Sequence, residues 1–473
     1  MSSAELTALL KMLDNSLELV GGKVRVKDEG RLRKNINLLA ETSALEKGPI
    51  QGMARYLVRV AALACGVIPA SIQDLYIARG KGKVPSNFTV PAINLRALSY
   101  DAARAVFQAA KSMDGAAIIF EIARSEMGYT DQRPSEYTTS VLAAAIEEGY
   151  SGPVFIQGDH FQVSAKKYAN DPNAEINTVR DLIKEAISAG FFNIDIDTST
   201  LVDLTKSTVP EQQILNTGLS AQFTAYIRSV EPKGITVSVG GEIGEVGGKN
   251  STEEELRAYM DGFNRELAKI APSAPGISKI SIQTGTSHGG VVLPDGSIAQ
   301  VSVDFDTLKH LSRVARGAYG LGGAVQHGAS TLPETAFGKF VEYEACEVHL
   351  ATNFQNMLFD RLPDSLRKEI YAFLDEKYPS DRKPDMTDEQ FYYKTRKNAI
   401  GPYKAKLWNL PTVKRDEVRA AWEEQFLKLF HLLGVSGTKK YIDQTIKPVI
   451  ILPSIKDYLS EATAEDEVKD LAD

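Results

Sequence analysis

The chain has 473 residues, of which 43% are hydrophobic and 24% charged, as in an ordinary globular protein that can fill a large core. Its formal net charge of −7 argues against nucleic acid as the main partner. Its two cysteines, Cys65 and Cys346, lie in apolar surroundings, so we expect a reducing cytoplasmic location and no disulfide framework. No stretch has the pattern of a signal peptide or a membrane span, and we expect no membrane partner.

Residues 1–75 carry leucines at helical spacing near their start, at positions 6, 9, 10 and 13. This pattern predicts an N-terminal helical extension, which we expect to serve packing or subunit contacts. The helical, charged character of residues 361–473 predicts a C-terminal helical extension. Its clearest amphipathic stretch covers residues 416–433.

Short apolar strands alternate with helices between residues 76 and 360. The expected strands lie at 88–94, 116–122, 154–159, 193–197, 235–240, 279–285, 324–327 and 347–351. Strict alternation implies a parallel sheet, and eight right-handed repeats close into a barrel. The sequence therefore predicts an α/β protein, a (β/α)8 TIM barrel flanked by the two helical extensions.

Three of the six histidines, His160, His288 and His327, come at the ends of predicted strands. The C-terminal ends of barrel strands share one rim, so these imidazoles are expected to converge. Three neutral imidazoles and an open position make a catalytic zinc site, in which the metal acts as a Lewis acid. One such histidine alone is more often a hydrogen-bonded core residue, but three at strand ends favour one Zn²⁺ per chain.

Three carboxylates also fall at strand ends. Asp159 directly precedes a candidate ligand and could carry a proton as general acid and base. Glu242 and Asp197 could bind a second or alternative metal position, or could instead accept hydrogen bonds from backbone N–H groups.

Small residues follow two of the candidate ligands, at Gly289, Gly328 and Ser330. Glycines let backbone N–H groups approach an anion closely, and loops after the late strands of a barrel often bind phosphate. The alternative is that these glycines are ordinary turn residues.

In their order along the chain, these motifs resemble those of the class II, metal-dependent fructose-bisphosphate aldolases and their ketose-bisphosphate relatives. The similar stretches are 90–94, 158–160, 196–199, 242–248, 285–289, 327–330 and 348–353. The resemblance implies that Asp159 supplies acid–base chemistry beside a zinc held by the three histidines. It also implies that Asn94 and Thr352 help to bind substrate and its phosphate.

Several residues depart from the family pattern. His349 stands where the family usually has an asparagine that contacts the substrate, and Ala351 and Asn353 replace acidic residues. Glu121 and Ala123 stand where glutamine and serine are common. We expect His349 to donate one hydrogen bond in the asparagine's place; phosphate binding and proton transfer remain open. These departures bear on the substrate and leave the metal ligands intact.

The resemblance implies an aldolase that reversibly cleaves a ketose phosphate, most simply fructose 1,6-bisphosphate into dihydroxyacetone phosphate and glyceraldehyde 3-phosphate. Two alternatives stay open, an aldolase for another phosphosugar or a sulfosugar, and a non-catalytic aldolase-like subunit. We expect a homo-oligomer, a dimer or larger, and leave open a second divalent or a monovalent cation. Lys406 is the counterpart of an arginine that longer aldolases offer to a neighbouring subunit's phosphate.

Overall fold

The computed structural model describes residues 3–20, 23–244, 249–285, 293 and 302–464. Strands within these ranges are β1 Leu17–Val20, β2 Lys23–Val26, β3 Val67–Ala70, β4 Val90–Asn94, β5 Ile119–Ala123, β6 Gly152–Gln162, β7 Asn193–Asp197, β8 Ser238–Glu242, β9 Lys279–Ile282, β10 Ala324–Gln326 and β11 Glu347–Leu350.

The α-helices up to the end of the barrel are α1 Ser3–Met12, α2 Glu29–Leu45, α3 Pro49–Ala64, α4 Gln73–Gly80, α5 Ser99–Ser112, α6 Arg124–Thr130, α7 Pro134–Glu147, α8 Ala165–Asn170, α9 Pro172–Ala189, α10 Val209–Gln212, α11 Ile214–Val230, α12 Glu253–Ile270, α13 Phe305–Tyr319, α14 Phe337–Glu342 and α15 Thr352–Phe359. The C-terminal segment adds α16 Asp364–Lys377, α17 Asp388–Thr395, α18 Lys404–Trp408, α19 Thr412–Leu432, α20 Lys439–Thr445 and α21 Ile455–Ala464, with a short 3-10 helix over Arg396–Ala399.

Strands β4 to β11 form a closed parallel barrel. They pair in the order β6-β5-β4-β11-β10-β9-β8-β7, and the pairing of β6 with β7 closes the ring. Each strand is followed by at least one helix, so the predicted (β/α)8 TIM barrel is confirmed. The interior positions of the strands are almost all buried, which makes the barrel a packed core with its functional rim at the C-terminal strand ends.

The N-terminal segment contains strands as well as the expected helices. β1 and β2 form an antiparallel hairpin, while α2 and α3 pack against α7 of the barrel. β3 pairs in parallel with the start of β6, Val67 opposite Gly152 and Ala70 opposite Phe155. β7 joins β6 only from Gln157 onwards. The N-terminal segment therefore fills the start of the gap between barrel strands three and four.

Asn193, the first residue of β7, joins these three strands through its fully buried amide. Its Oδ1 accepts a hydrogen bond from the backbone N–H of Ile72 at 2.9 Å. Its Nδ2 donates to the carbonyl oxygens of Ala70 and Ile156 at 3.2 and 3.0 Å. One side chain thus satisfies three backbone groups where regular strand pairing is interrupted.

The C-terminal segment packs back onto the barrel. The predicted amphipathic helix is α19, which lies along α5. The indole N–H of Trp422 donates to the carbonyl of Phe354 at 3.0 Å, and Arg415 forms a 2.7 Å ion pair with buried Asp101. Among the described residues, no helix combines the length and the apolar character needed to cross a bilayer.

Replacing Asn193 with alanine should lower the free energy of unfolding by about 2–4 kcal/mol, because buried backbone groups lose their side-chain partners. Urea titration followed by circular dichroism measures the change. Asn173, exposed in the first turn of α9, provides the matched control, and N173A should change stability by less than about 0.5 kcal/mol. Equal stability of the two variants would contradict the role given to Asn193.

Candidate metal centre and substrate pocket

The end of β6 carries a backbone irregularity. Its pairing register with β7 shifts between Gly158 and Phe161, and His160 has a φ of 39°, in the left-handed region that non-glycine residues rarely adopt. A Cβ on Gly158 would lie 2.3 Å from the Phe161 ring, so the bulge requires glycine there. Bulges of this kind redirect side chains beside active sites. Here Asp159 and His160 both reach the same cavity.

Three groups of donors among the described residues could hold a metal, and one of them consists of ligands predicted from the sequence. His160, Glu242 and His327 each offer a ligand atom, and these atoms lie within 4.8 Å of one another. The residues come from barrel strands three, five and seven, and the two imidazole rings are 4.4 Å apart between centroids. Imidazole nitrogens and a carboxylate oxygen suit zinc and other divalent transition metals. His288, the third predicted histidine ligand, lies outside the described residues.

Asp197 lies behind His160. Its Oδ2 is 3.1 Å from His160 Nδ1 and accepts a 2.5 Å hydrogen bond from Gln162. Its Oδ1 accepts from the backbone N–H and hydroxyl of Ser199, at 3.0 and 2.6 Å. A carboxylate that accepts from a ligand's second ring nitrogen fixes the ring's orientation and tautomer. Asp197 can therefore orient the His160 ring. Glu242, which is 3.4 Å from the same nitrogen, belongs to the donor cluster instead.

The neighbouring carboxylates make this position attractive to a cation. Burial by itself lowers the pKa of His160. The negative charges of Asp159 and Glu242 raise the pKa by more than this, so that it lies well above its ordinary value. The same negative potential favours a metal ion, which competes with the proton for the ring nitrogen.

Asp159 is buried and lines the cavity, with polar partners on both oxygens. Asn94 Nδ2 donates to its Oδ2 at 3.0 Å, and His349 Nδ1 is 3.2 Å from its Oδ1. Burial raises the pKa of Asp159, but the imidazoles of His160 and His349 lower it more, so the pKa lies well below its ordinary value. The carboxyl is therefore ionised at neutral pH and can accept a proton.

His349 connects Asp159 to carboxylates inside the barrel. Its Nε2 is 2.7 Å from Glu347 and its Nδ1 is 3.1 Å from Glu121. Burial lowers the pKa of His349, but Glu121 and Asp159 raise it to well above the ordinary value. His349 can thus act as a buried cation that positions Asp159, in addition to the substrate contact expected from the sequence.

A charged network lies below the rim. Lys279 is fully buried and pairs with Asp195 at 2.9 Å, with Gln157 at 2.8 Å, and with Glu347. Glu347 and His349 are two positions apart on β11, so both side chains point to its inner face. This network was not predicted from the sequence, although charged residues at alternate positions of a buried strand were a usable signal.

A cavity of about 270 Å³ opens at the C-terminal ends of strands one, two, three, seven and eight. The sequence-predicted residues that line it are Asn94, Asp159, His160, His327, Gly328, Ser330, His349 and Thr352. Asp197 and Glu242 do not line it, and Gly289 lies outside the described residues. His160 and His327, the ionised Asp159, and Gly328 and Ser330 therefore meet in one place.

The cavity also contains residues that sequence analysis did not select, namely Arg96, Arg124, Glu126, Tyr129 and Lys397. Arg96 pairs with Glu126 at 2.6 Å, and its Nη1 is 3.4 Å from the Thr352 hydroxyl. Arg96 closely follows barrel strand one and Arg124 closely follows barrel strand two. These positions at the rim could have identified both arginines. Lys397 comes from the C-terminal segment, and no local pattern indicates that it reaches this cavity.

A protein-family model matches the part of the chain that carries these residues. The family model described as class-II fructose-bisphosphate aldolase matches residues 84–409, well over half of the chain. No curated protein matches the chain.

Three solved structures are similar to this chain at low sequence identity, and the first of them has a TM-score that indicates a shared fold. A probable tagatose 6 phosphate kinase from Sinorhizobium meliloti 1021 has a TM-score of 0.53 and 14% identity over 74% of this chain and 100% of that chain. The fructose-bisphosphate aldolase from Campylobacter jejuni has a TM-score of 0.47 and 19% identity, over 79% of this chain and 97% of that chain. The YdjI aldolase from Escherichia coli K12 has a TM-score of 0.45 and 14% identity, over 78% and 99% respectively.

The family match covers the barrel and every predicted site residue, and by that match the chain belongs to the class II fructose-bisphosphate aldolase family.

Proposed function

We propose that this class II aldolase binds one divalent cation, Zn²⁺ in the first instance, and reversibly cleaves a ketose phosphate. Fructose 1,6-bisphosphate is the first substrate to test. The observation that supports this most strongly is that His160 and His327, which form a donor cluster with Glu242, line the same cavity as an ionised Asp159.

The metal ligands in the proposal are His160 and His327, with Glu242 as the nearby carboxylate and His288 as the third histidine predicted by the sequence. The donor chemistry fits zinc. When bound, zinc would supply Lewis acidity that polarises the ketose carbonyl at C2. This polarisation would make the C3–C4 bond easier to break.

Asp159 carries the proton in the cleavage direction. Its carboxylate accepts the proton of the C4 hydroxyl as the C4–O bond becomes the aldehyde carbonyl. The C3–C4 bond breaks, and its electron pair stays on the three-carbon fragment, which takes up a proton from water at C3 to give dihydroxyacetone phosphate, while Asp159 returns its proton to water and regains its charge. Asn94 and His349 hold the carboxylate in place through its two oxygens, and pre-set geometry of this kind lowers the barrier.

Gly328, Ser330 and Thr352 are proposed to bind the phosphate of the three-carbon fragment, together with Gly289. Ser330 Oγ accepts a 2.5 Å hydrogen bond from the backbone N–H of Ala351. This bond fixes the hydroxyl oxygen between the ends of strands seven and eight, and its proton remains available to an anion.

A second substrate class, another phosphosugar or a sulfosugar, is favoured by one observation. His349 and Glu121, which replace residues usual in the family, contact each other beside Asp159. His349 lines the cavity, so this pair changes the charge next to Asp159.

The metal assignment predicts about one zinc per chain and cleavage that is lost with a chelator and restored by added zinc. His327→Ala should remove most of the metal. His310→Ala provides the matched control, because His310 is exposed on α13 and pairs with Glu253. Metal analysis by mass spectrometry measures both variants. Equal zinc content in the two would place the metal elsewhere.

Asp159→Asn should lower kcat about 10²-fold to 10⁴-fold, since an amide of the same shape cannot accept the C4 hydroxyl proton. A coupled cleavage assay measures the loss, and zinc content of the variant should match that of the wild type. Wild-type turnover by this variant would exclude Asp159 as the acid–base residue. If zinc is bound but fructose 1,6-bisphosphate is not cleaved, the same assay with other phosphosugars identifies the substrate.

His349→Asn should lower kcat roughly 10-fold, because it removes a charged hydrogen-bond partner from Asp159. If His349 acts through Asp159, the same substitution in the Asp159→Asn background should cost less than about threefold. The double-mutant cycle, measured as kcat with metal content checked in each variant, tests this. Equal losses in the two backgrounds would mean that His349 acts independently of Asp159.

A further inference from the structure

Helix α4, in the segment that precedes the barrel, crosses the end of the barrel opposite the cavity. The backbone N–H of Ile72, the residue before α4, donates to Asn193 at the start of strand four. Near the end of the helix, buried Arg79 donates to the carbonyls of Phe88 and Ala345 at 2.7 and 2.9 Å, shortly before strands one and eight. The helix is therefore fixed across the N-terminal opening of the barrel.

Two glycines let α4 approach the barrel closely. A Cβ on Gly80, the last residue of α4, would clash with the carbonyl oxygens of Gly320 and Leu321. A Cβ on Gly322, shortly before strand seven, would lie 2.9 Å from the Cβ of Tyr76. This close approach allows the side chain of Tyr76, which is fully buried, to enter the base of the barrel.

The Tyr76 hydroxyl reaches a buried carboxylate at the base of strand eight. It donates a hydrogen bond to Oε2 of Glu347, the first residue of β11. Burial and the charge of Glu347 raise the pKa of Tyr76 well above its ordinary value, so the hydroxyl keeps its proton. The other oxygen of Glu347, Oε1, accepts from Gln157 at 3.1 Å and from Lys279. Donors on both oxygens hold the carboxylate in one orientation.

The same carboxylate carries the contact onwards to the rim. His349, two residues further along β11, has its Nε2 2.7 Å from Glu347 Oε1 and its Nδ1 3.2 Å from Asp159 Oδ1. Tyr76, Glu347, His349 and Asp159 are each at most 5% exposed. A continuous chain of buried polar contacts therefore runs through the barrel, from a helix at its base to the proposed acid–base group.

One reading of Tyr76 is that it only satisfies a buried acceptor and contributes to stability. The direction of the contacts favours a larger role. In a histidine, the hydrogen bond at one ring nitrogen sets the orientation and tautomer that the other nitrogen presents. A Glu347 carboxylate held from below therefore keeps Nδ1 of His349 directed at Asp159. Buried networks of this kind fix geometry more firmly than their separate contacts would.

We propose that Tyr76 is a positioning residue for the acid–base group: its hydroxyl fixes the Glu347 carboxylate, which holds the His349 ring against Asp159. This inference rests on the proposed function and deepens it, because it assigns part of the acid–base geometry to the segment before the barrel. His349 is one of the departures from the family pattern. The link from Tyr76 to Asp159 is thus a property of this chain's own residues.

The first test measures hydrogen bonding and needs no turnover. Full-length, metal-loaded protein with ¹⁵N-labelled histidines contains six imidazoles, and the His349 signals are those that disappear in His349→Asn. Tyr76→Phe, which removes one oxygen atom, should shift the Nε2 signal of His349. Tyr150→Phe is the matched control, because the Tyr150 hydroxyl donates to the carbonyl of Pro153 at 2.8 Å, outside this chain of contacts. It should leave the signal unchanged.

The second test is kinetic. Y76F should lower kcat roughly 3-fold to 10-fold, while KM stays within about twofold, because the hydroxyl acts on the acid–base group and does not touch substrate. In the His349→Asn background the same substitution should cost less than about twofold in kcat. Zinc content and circular dichroism of Y76F and Y150F should match the wild type. Glu347→Gln, which keeps the shape of the side chain but weakens the acceptor, should shift the same Nε2 signal.

An unchanged Nε2 signal in Y76F, or equal losses of kcat in the two backgrounds, would overturn the proposal and leave Tyr76 a purely structural residue. If Y76F does not fold, an unchanged signal in E347Q overturns it in the same way. If the wild type cleaves no phosphosugar but Y76F and E347Q shift the His349 signal while Y150F does not, the positioning of His349 by Tyr76 stands and the proposed reaction falls.

Discussion

Consecutive residues of a β-strand point to opposite faces, and the candidate site depends on a local exception to this rule. At the end of β6 the pairing register shifts, and His160 takes a positive φ. A non-glycine residue held in this region costs about 1–3 kcal/mol, which the surrounding barrel must offset. In return, Asp159 and His160 both face the cavity. A regular strand would have turned one of them away, separating the acid–base group from the metal donors.

The second constraint is the balance of buried charge below the site. Charges inside a protein are costly unless they are paired, and the barrel interior pairs Lys279 with Asp195 and Glu347. Burial raises the pKa of Glu347, but Lys279 and His349 lower it to about 2. Burial and the charge of Asp159 raise the pKa of Glu121 to about 8. The network therefore places His349 beside the carboxylates of Glu347 and Asp159, which favour its cationic form.

The segments that precede and follow the barrel contribute to its structure. Strand β3 fills the opening between barrel strands three and four. Asn193, at the start of strand four, donates hydrogen bonds to backbone carbonyls at the end of β3 and in strand three. At the other end of the barrel, the short 3-10 helix that contains Lys397 contacts α6 and α15 over the cavity. The extension on one side thus supports the barrel, and the extension on the other helps to shape the pocket.

The alternation of apolar strands and helices was sufficient to predict the (β/α)8 barrel, because each strand and helix is a local pattern and few topologies accommodate eight repeats. Histidines at strand ends indicated His160 and His327 as neighbours for the same reason, since the fold itself brings strand ends together. Asn94, Asp159, Ser330 and His349, which the motifs indicated, line the same cavity, while their roles stay predictions.

Only the tertiary structure revealed the contacts that depend on three-dimensional packing. The strained bulge at His160 arises from pairing with β7, and the Lys279 network arises from side chains of different strands meeting inside the barrel. The position of Lys397 depends on how a distant segment docks on α6 and α15. None of these has a local sequence pattern, because each results from long-range contacts that no short window of residues contains.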